Sequence, residues 1–535
     1  MTASWLHHLI VVPVVLPLVT GALMLLFDER RHGLKAAISL ASATLLLGVA
    51  VTLMVMAGRN GLGASVYRLG DYSAPFGIVL ALDRLSALML VLTAVLAVAS
   101  LVYALACWQQ GGPHFHTLFQ LLLMGLNGAF LTGDLFNLFV FFELTLAASY
   151  GLALHGSGVR RVKAGLRYIV FNLAASALFL IGVSLLYGVT GTLNMADLAT
   201  RIPLVSPGDR VFVEAGAAIL GLVFLVKAGM WPLGFWLTPA YAAAAAPVAA
   251  MFAILSKVGI YAILRLSHLF FGTGVLAGFG DQWLIAGGMA TIVFGVLGVL
   301  GSRAIGRIAS FGVLISSGTL IAAIGVGGVP TVAALLFYML STTLGIAALF
   351  LLAELIERGR DTVANVLTLM MDFDDEDEEE EEEVGLTIPA TPAILSVCFI
   401  ICTIVLIGLP PFSGFIAKFM LISSILNPGG LGHPEPIAAM HWALVLLMGS
   451  AGLGGLISLT GIGIRNFWTP LERSVPPVRL VEIAPVIGLL LLCLGLVVGA
   501  APVMRYLQAT AQSLNAPQDY IRSVLAAPHV EEKSR

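Results

Sequence analysis

The sequence predicts an all-α polytopic membrane protein of about fourteen transmembrane helices, with two inverted five-helix repeats containing broken helices. Three observations predict it. Of 535 residues, 59% are hydrophobic and 11% charged, at a mean hydropathy of +1.00. Apolar runs separated by short polar turns continue from residue 9 to residue 505. Ionisable residues and helix breakers recur inside those runs in both halves of the chain. The composition excludes an ordinary soluble domain and a disordered chain. Any function is therefore carried out within the bilayer.

At about 20 residues per crossing, spans fall near 9–27, 35–56, 85–108, 117–133, 135–155, 166–190, 211–231, 242–271, 282–301, 308–327, 331–356, 391–426, 442–464 and 484–505. Met1 to Phe27 has no basic residue before its apolar stretch, and Asp28-Glu-Arg-Arg31 follows it like a stop-transfer flank. It reads as a retained first span and not as a cleaved signal. An even number of crossings puts both ends on one side. With the N-terminus outside, inner loops hold 14 Lys/Arg, including the Arg160–Arg167 cluster, against nine outside, which favours this orientation. The chain divides into 1–116 (spans 1–3), 117–271 (first repeat, spans 4–8), 272–464 (second repeat, spans 9–13) and 465–535 (final span and tail).

Two outer connections are long: 57–84, where Val66-Tyr-Arg-Leu-Gly-Asp71 looks like part of a hairpin, and 188–210. The long inner connection, 357–390, contains eleven acids between Asp372 and Glu383. Such a run repels itself and cannot build a core, so it is expected to be a solvated linker. It alone makes the net charge of −3 negative, and the rest of the chain is mildly basic. Basic residues are not interleaved with aromatics, which argues against nucleic acid as a partner. Cys107, Cys398, Cys402 and Cys493 fall in or beside apolar segments, where a thiol packs as a small hydrophobe. Neither metal site nor cofactor site is expected from them. Gly295, Gly298, Gly452 and Gly455 mark close helix packing, not phosphate loops.

The informative residues are charges where the solvent is lipid, each costing about 2.5–3.5 kcal/mol on insertion scales unless paired or hydrated. Glu143 lies in Leu138-Phe-Val-Phe-Phe-Glu-Leu-Thr145, and Lys227 in Leu222-Val-Phe-Leu-Val-Lys-Ala-Gly229. Lys257 follows Ala253-Ile-Leu-Ser256, and Lys418 follows Pro410-Pro-Phe-Ser-Gly-Phe-Ile-Ala417. A buried Glu143–lysine pair that only fixes packing would explain two of the four. Two amines are then left over, and an amine without a counter-charge in a low-dielectric site gives up its proton more readily. A row of such groups is what proton relay requires.

Breakers sit beside two of these lysines, at Met230-Trp-Pro-Leu-Gly-Phe-Trp-Leu-Thr-Pro239 and Gly408-Leu-Pro-Pro-Phe-Ser-Gly414. Interrupted helices free backbone groups at membrane depth, which is tolerated only inside protein or along a cavity. A broken helix with a charge in each half is a mark of inverted-repeat transporters. Lys257, Tyr261 and His268 fall on one helical stripe, so that His268 is a candidate for handing protons to the outer surface. Arg265 lies off that stripe and is expected to snorkel outward. Ser310, Ser316, Ser317, Thr319, Ser341, Thr342 and Thr343 add hydroxyls that either hold waters or bond carbonyls one turn back.

At these residues the chain resembles the antiporter-like membrane subunits shared by complex I, membrane-bound hydrogenases and Mrp-type cation/proton antiporters, most of all the D-subunit branch of the Mrp (Mnh, Pha) complexes. The resemblance is carried by Leu82-Asp-Arg-Leu-Ser-Ala-Leu88, Phe142-Glu-Leu-Thr-Leu-Ala-Ala-Ser-Tyr-Gly151, Tyr187-Gly-Val-Thr-Gly-Thr-Leu-Asn-Met-Ala196, Pro247-Val-Ala-Ala-Met-Phe-Ala-Ile-Leu-Ser-Lys-Val-Gly259 and Leu409-Pro-Pro-Phe-Ser-Gly-Phe-Ile-Ala-Lys-Phe419. It implies that Glu143 and Lys227 interact, that Lys257 is the connecting amine and that Lys418 is the terminal one. It also implies a secondary-transporter subunit of the bacterial inner membrane, working with partner subunits to exchange Na⁺ or another monovalent cation for protons, without a nucleotide or redox cofactor. A proton-pumping arm of a redox complex and a non-conducting scaffold are the alternatives. Gly234 and Ser341 stand where relatives often carry His, and Tyr241 where complex I relatives do, so ordered water would replace those imidazoles.

Overall fold

The structure is a computed structural model that describes residues 7–28, 30–59, 61–108, 114–272, 278–371, 390–427, 436–468 and 478–526. The acidic run 372–383 lies outside the described residues.

Lipid satisfies no backbone polar group, so the apolar runs close their own hydrogen bonds as helices. The first half consists of α1 (Val12–Leu25), α2 (His32–Arg59), α3 (Arg84–Cys107), α4 (Phe115–Leu131), α5 (Leu135–Ala153), α6 (Val159–Thr190), the short α7 (Met195–Arg201), α8 (Arg210–Ala228), α9 (Leu237–Ala243) and α10 (Ala246–Phe271). The second half consists of α11 (Asp281–Leu300), α12 (Ile305–Val326), α13 (Val329–Met371), α14 (Ala390–Ile407), α15 (Ser413–Leu426), α16 (Ala439–Gly463), α17 (Leu480–Val498), α18 (Ala500–Asn515) and α19 (Gln518–Leu525). Eleven of these are long and apolar enough to cross a membrane. The shorter α1 and α4, and α14 with α15 as one interrupted span, bring the crossings to the expected fourteen.

Both expected breaks are present. Helix α8 stops at Ala228 because Gly229 turns left-handed (φ +77°), a conformation that costs glycine little. Gly408 (φ +84°) does the same after α14, and the chain restarts as α15 at Ser413. The final span differs from expectation: α17 ends at Val498, and 500–525 forms two separate helices. In α18 only Leu507, Thr510, Ala511 and Leu514 are buried, the single-sided stripe of a helix lying on a surface.

The expected hairpin forms as β1 (Ser65–Arg68) and β2 (Val79–Leu82), antiparallel with Ser65 opposite Leu82 and Arg68 opposite Val79. Val66, Val79 and Ala81 pack with Ala196 of α7 and with Tyr520, Ile521 and Val524 of α19 into a small second core. Helices α10, α12 and α13 are the most enclosed and hold the centre of the bundle.

Candidate functional site

Lys257 lies in the middle of α10 and is fully buried. Its Nζ donates to Ser316 Oγ at 3.0 Å and to Ser317 Oγ at 3.5 Å, both on α12. Ser316 Oγ in turn meets Thr342 Oγ1 of α13 at 3.0 Å. Among the described residues no carboxylate pairs with this amine, so its surroundings are hydroxyls. Of the two expected uses of the hydroxyls, bonding to carbonyls one turn back occurs at Thr342, Thr343, Thr319 and Ser310. One residue from Thr342, Ser341 Oγ meets Ser413 Oγ at 2.8 Å, where α15 begins. Hydroxyls on α12, α13 and α15 therefore lead from Lys257 towards the second broken helix.

That break supplies the partner of Lys418, whose Nζ donates to the Ile407 carbonyl at 2.6 Å. A continuous helix would have used this carbonyl itself. Gly452 of α16 borders the amine, which lies on the C-terminal side of its break. Lys227 lies on the N-terminal side of the other break, on the last turn of α8. Its Nζ sits 4.8 Å from the centroid of the Phe142 ring and in the field of Glu143. The implied Glu143–Lys227 pair is thus a neighbourhood, not a direct ion pair: the hydroxyl of Ser176 on α6 donates to Glu143. A cation over an aromatic face is stabilised by the ring quadrupole, which supports Lys227 without fixing it to the carboxylate.

Tyr261 donates to the Phe130 carbonyl at 2.6 Å, and Arg265 Nε donates back to Tyr261 Oη at 2.8 Å. Arg265 does not snorkel. It is 3% exposed and pairs with Asp83 at 2.8 Å, because Asp83 and Ser86 at the start of α3 offer it a buried, prepaid acceptor. Its angle on α10 alone carries no information about a partner on α3. His268 is partly buried in the last turn of α10, with Nδ1 2.8 Å from the Leu264 carbonyl. The Arg265–Asp83 pair stands between it and Lys257.

A Cβ at Gly234 would meet the Gly229 carbonyl, so the tight turn after α8 leaves no room for a side chain at that position. Sequence reasoning missed Ser176, Asp83 and Glu354. The first two are joined to their partners across tens to hundreds of residues, and Glu354 sits at the end of a span, where a charge looks interfacial. The basic residues expected on the inner side do gather: Arg160, Arg161, Lys163, Arg167, Arg303 and Arg307 line one cavity of about 1740 Å³.

A bundle with two interrupted helices and lysines at its core is the architecture of antiporter-like membrane subunits. Residues 132–431 match the family described as NADH:quinone oxidoreductase/Mrp antiporter, TM, and the chain belongs to that family. It is 56% identical to the probable K(+)/H(+) antiporter D subunit of Rhizobium meliloti (strain 1021), covering 98% of this chain and 99% of that one. It is 34% identical to the Na(+)/H(+) antiporter D subunit of Alkalihalophilus pseudofirmus, covering 97% and 100%. Its fold matches a chain of the Mrp complex from Dietzia sp. DQ12-45-1b with a TM-score of 0.82, at 27% identity over 97% of this chain and 99% of that one.

Proposed function

We propose that this chain is the proton-translocating subunit of a multisubunit monovalent cation/proton antiporter of the bacterial inner membrane. The observation that carries the reading is Lys257, a fully buried amine held by hydroxyls alone, in a chain alignable end to end with antiporter D subunits. A counter-ion would trap the proton on such an amine, whereas hydroxyls let it leave.

Glu143 is the switch. When ionised, it favours the charged form of Lys227 through its field; when neutralised, it releases that proton towards Lys257. The hydroxyls of Ser316, Thr342, Ser341 and Ser413, bridged by water where gaps remain, connect Lys257 with Lys418. Tyr261 is a positioning residue, tying α10 to the end of α4, and His268 is a secondary acceptor at the outer surface. The 56% relative makes K⁺ the first coupling ion to test, with Na⁺ beside it.

The test is collapse of ΔpH by added K⁺ or Na⁺ in energised everted vesicles from an antiporter-deficient host. The chain is expressed with its partner subunits, as wild type and as Lys227→Ala, with assembly checked. Cation-dependent collapse that is lost in the variant is expected. Collapse that persists in assembled Lys227→Ala contradicts the relay, and none from the assembled wild type contradicts antiport.

A further inference from the structure

We propose that Glu354 is the proton acceptor at the cytoplasmic mouth of the Lys257 site, at the floor of a vestibule whose positive lining passes protons and turns metal cations away. This rests on the relay reading above and adds to it a residue and a selectivity.

The vestibule is the cavity of about 1740 Å³ at the basic end of the bundle, the end that the charge bias places in the cytoplasm. Arginines and a lysine from α6, from the start of α12 and from Arg358 line it, against two carboxylates, Glu354 and Glu357. Positive walls raise a barrier for Na⁺ or K⁺. A proton meets less of that barrier, because it moves by exchange along water and ends on a neutral acid.

Glu354 is built in. Its Oε1 accepts from Trp108 Nε1 at 2.8 Å, and its Oε2 accepts from the Ala246 backbone N–H at 3.0 Å. The latter is the first turn of α10, whose dipole favours a negative charge there. Arg161 of α6 and Arg358 of α13 are the cations whose fields reach it, Arg358 being itself paired with Glu482 of α17 at 2.8 Å. His155, in the loop before α6, approaches the Trp108 carbonyl at 3.3 Å, and burial pushes its imidazole down from the usual range. A second polar group points to water in the same cavity: Tyr241 is 1% exposed, lines the vestibule, and its hydroxyl has no partner among the described residues.

The vestibule leads to Lys257 along the same three helices. Ala249 of α10, Phe311 of α12 and Phe350 of α13 line its floor. Further along those helices stand Lys257, Ser316 and Thr342. Eight residues of helix are about 12 Å, and a lysine on α10 leans back towards the helix N-terminus, which shortens the gap. The intervening face of α10 carries Ala250 and Ala253, small enough to leave room for a file of water. The step is a proton transfer without redox change: the Lys257 ammonium loses H⁺ to the Glu354 carboxylate through water, and the carboxylic acid then loses it to vestibule water.

The test uses the assembled complex in everted vesicles, whose outer face is the cytoplasmic one, with Glu354→Gln, Glu354→Asp and Lys257→Ala beside wild type. Glu354→Gln is expected to slow exchange per assembled complex on the order of tenfold and to flatten its dependence on the pH of the cytoplasmic face. The cation concentration for half-maximal rate stays unchanged, because the metal ion does not use this mouth. Glu354→Asp keeps most of the rate. A wild-type rate and pH profile in Glu354→Gln, with Lys257→Ala inactive, overturns the proposal and spares the relay; an active Lys257→Ala overturns the relay itself. Equal loss of assembly in Gln and Asp, with the rate per complex intact, makes Glu354 only a cap for α10 and also overturns the proposal. A raised half-saturating cation concentration in Glu354→Gln overturns the selectivity.

Discussion

The two halves of the bundle share their packing and differ in their charges. In the first half, Gly125 and Gly128 of α4 let Thr145 and Phe141 of α5 approach so closely that a Cβ on either glycine would clash. In the second, Gly295 and Gly298 of α11 receive Ile315 and Phe311 of α12 in the same way and at the same spacing. In that register Glu143 corresponds to Val313, which is fully buried, so the first half holds a carboxylate where the second holds a hydrocarbon. The lysines differ too. Lys227 lies over a ring in the field of an acid, and Lys418 is bonded to a backbone carbonyl. Packing was kept because close-fitting helices tolerate little change in volume, whereas one charge switch suffices for one path. In the proposed relay the first half holds the switch and the second half the terminus, and the two meet where Lys257 of α10 reaches hydroxyls of α12 and α13.

The joint is where the comparison breaks most sharply. Lys257→Ala is expected to lower exchange by about 100-fold or more in the assembled complex, read as cation-dependent ΔpH collapse. Next come the shared glycines. Gly128→Ala and Gly298→Ala each overpack a helix contact, at a cost of about 1–3 kcal/mol; thermal unfolding of the detergent-solubilised complex should show drops of similar size, and a drop in one half alone would end the claim of shared packing. Ser176→Ala removes the donor to Glu143, a charge-assisted bond of about 1.5–3 kcal/mol, and should slow exchange several-fold while leaving assembly intact. The smallest effect concerns a cap present in only one half. Asp134 caps α5 by accepting from the Asn137 N–H at 2.9 Å, whereas Ala304, its counterpart at the start of α12, has extended backbone geometry and no side-chain cap. Ala304→Asp should therefore stabilise the complex by about 0.5–2 kcal/mol, read as a rise in unfolding temperature.

Much of this was legible because lipid makes the rules strict. Spans, breaks and the four intramembrane charges follow from hydropathy, from glycine and proline, and from the cost of burying Glu143, Lys227, Lys257 and Lys418. What sequence could not supply was the partner of each group. Helical periodicity placed Lys257, Tyr261 and His268 on one stripe, but it could not see Asp83 arriving from α3 to hold Arg265 inside. It offered Ser316 and Ser317 as hydroxyls for water or carbonyl, and the approach of α10 to α12 gives both to Lys257 instead. Glu354 escaped notice at a span end, although the cavity beside it sets it apart from an interfacial charge. The helices of 500–525 were merged with a span or left as tail, because their apolar stripe is one-sided and short.

The central claim is that Glu143 and Lys227 act as one unit although they do not touch. The most direct test is the exchange rate of Glu143→Gln, Lys227→Ala and the double variant, each normalised to assembled complex. A unit predicts strong non-additivity, with the double variant no slower than the worse single one. Losses that multiply, or a Glu143→Gln variant at the wild-type rate, would contradict the account.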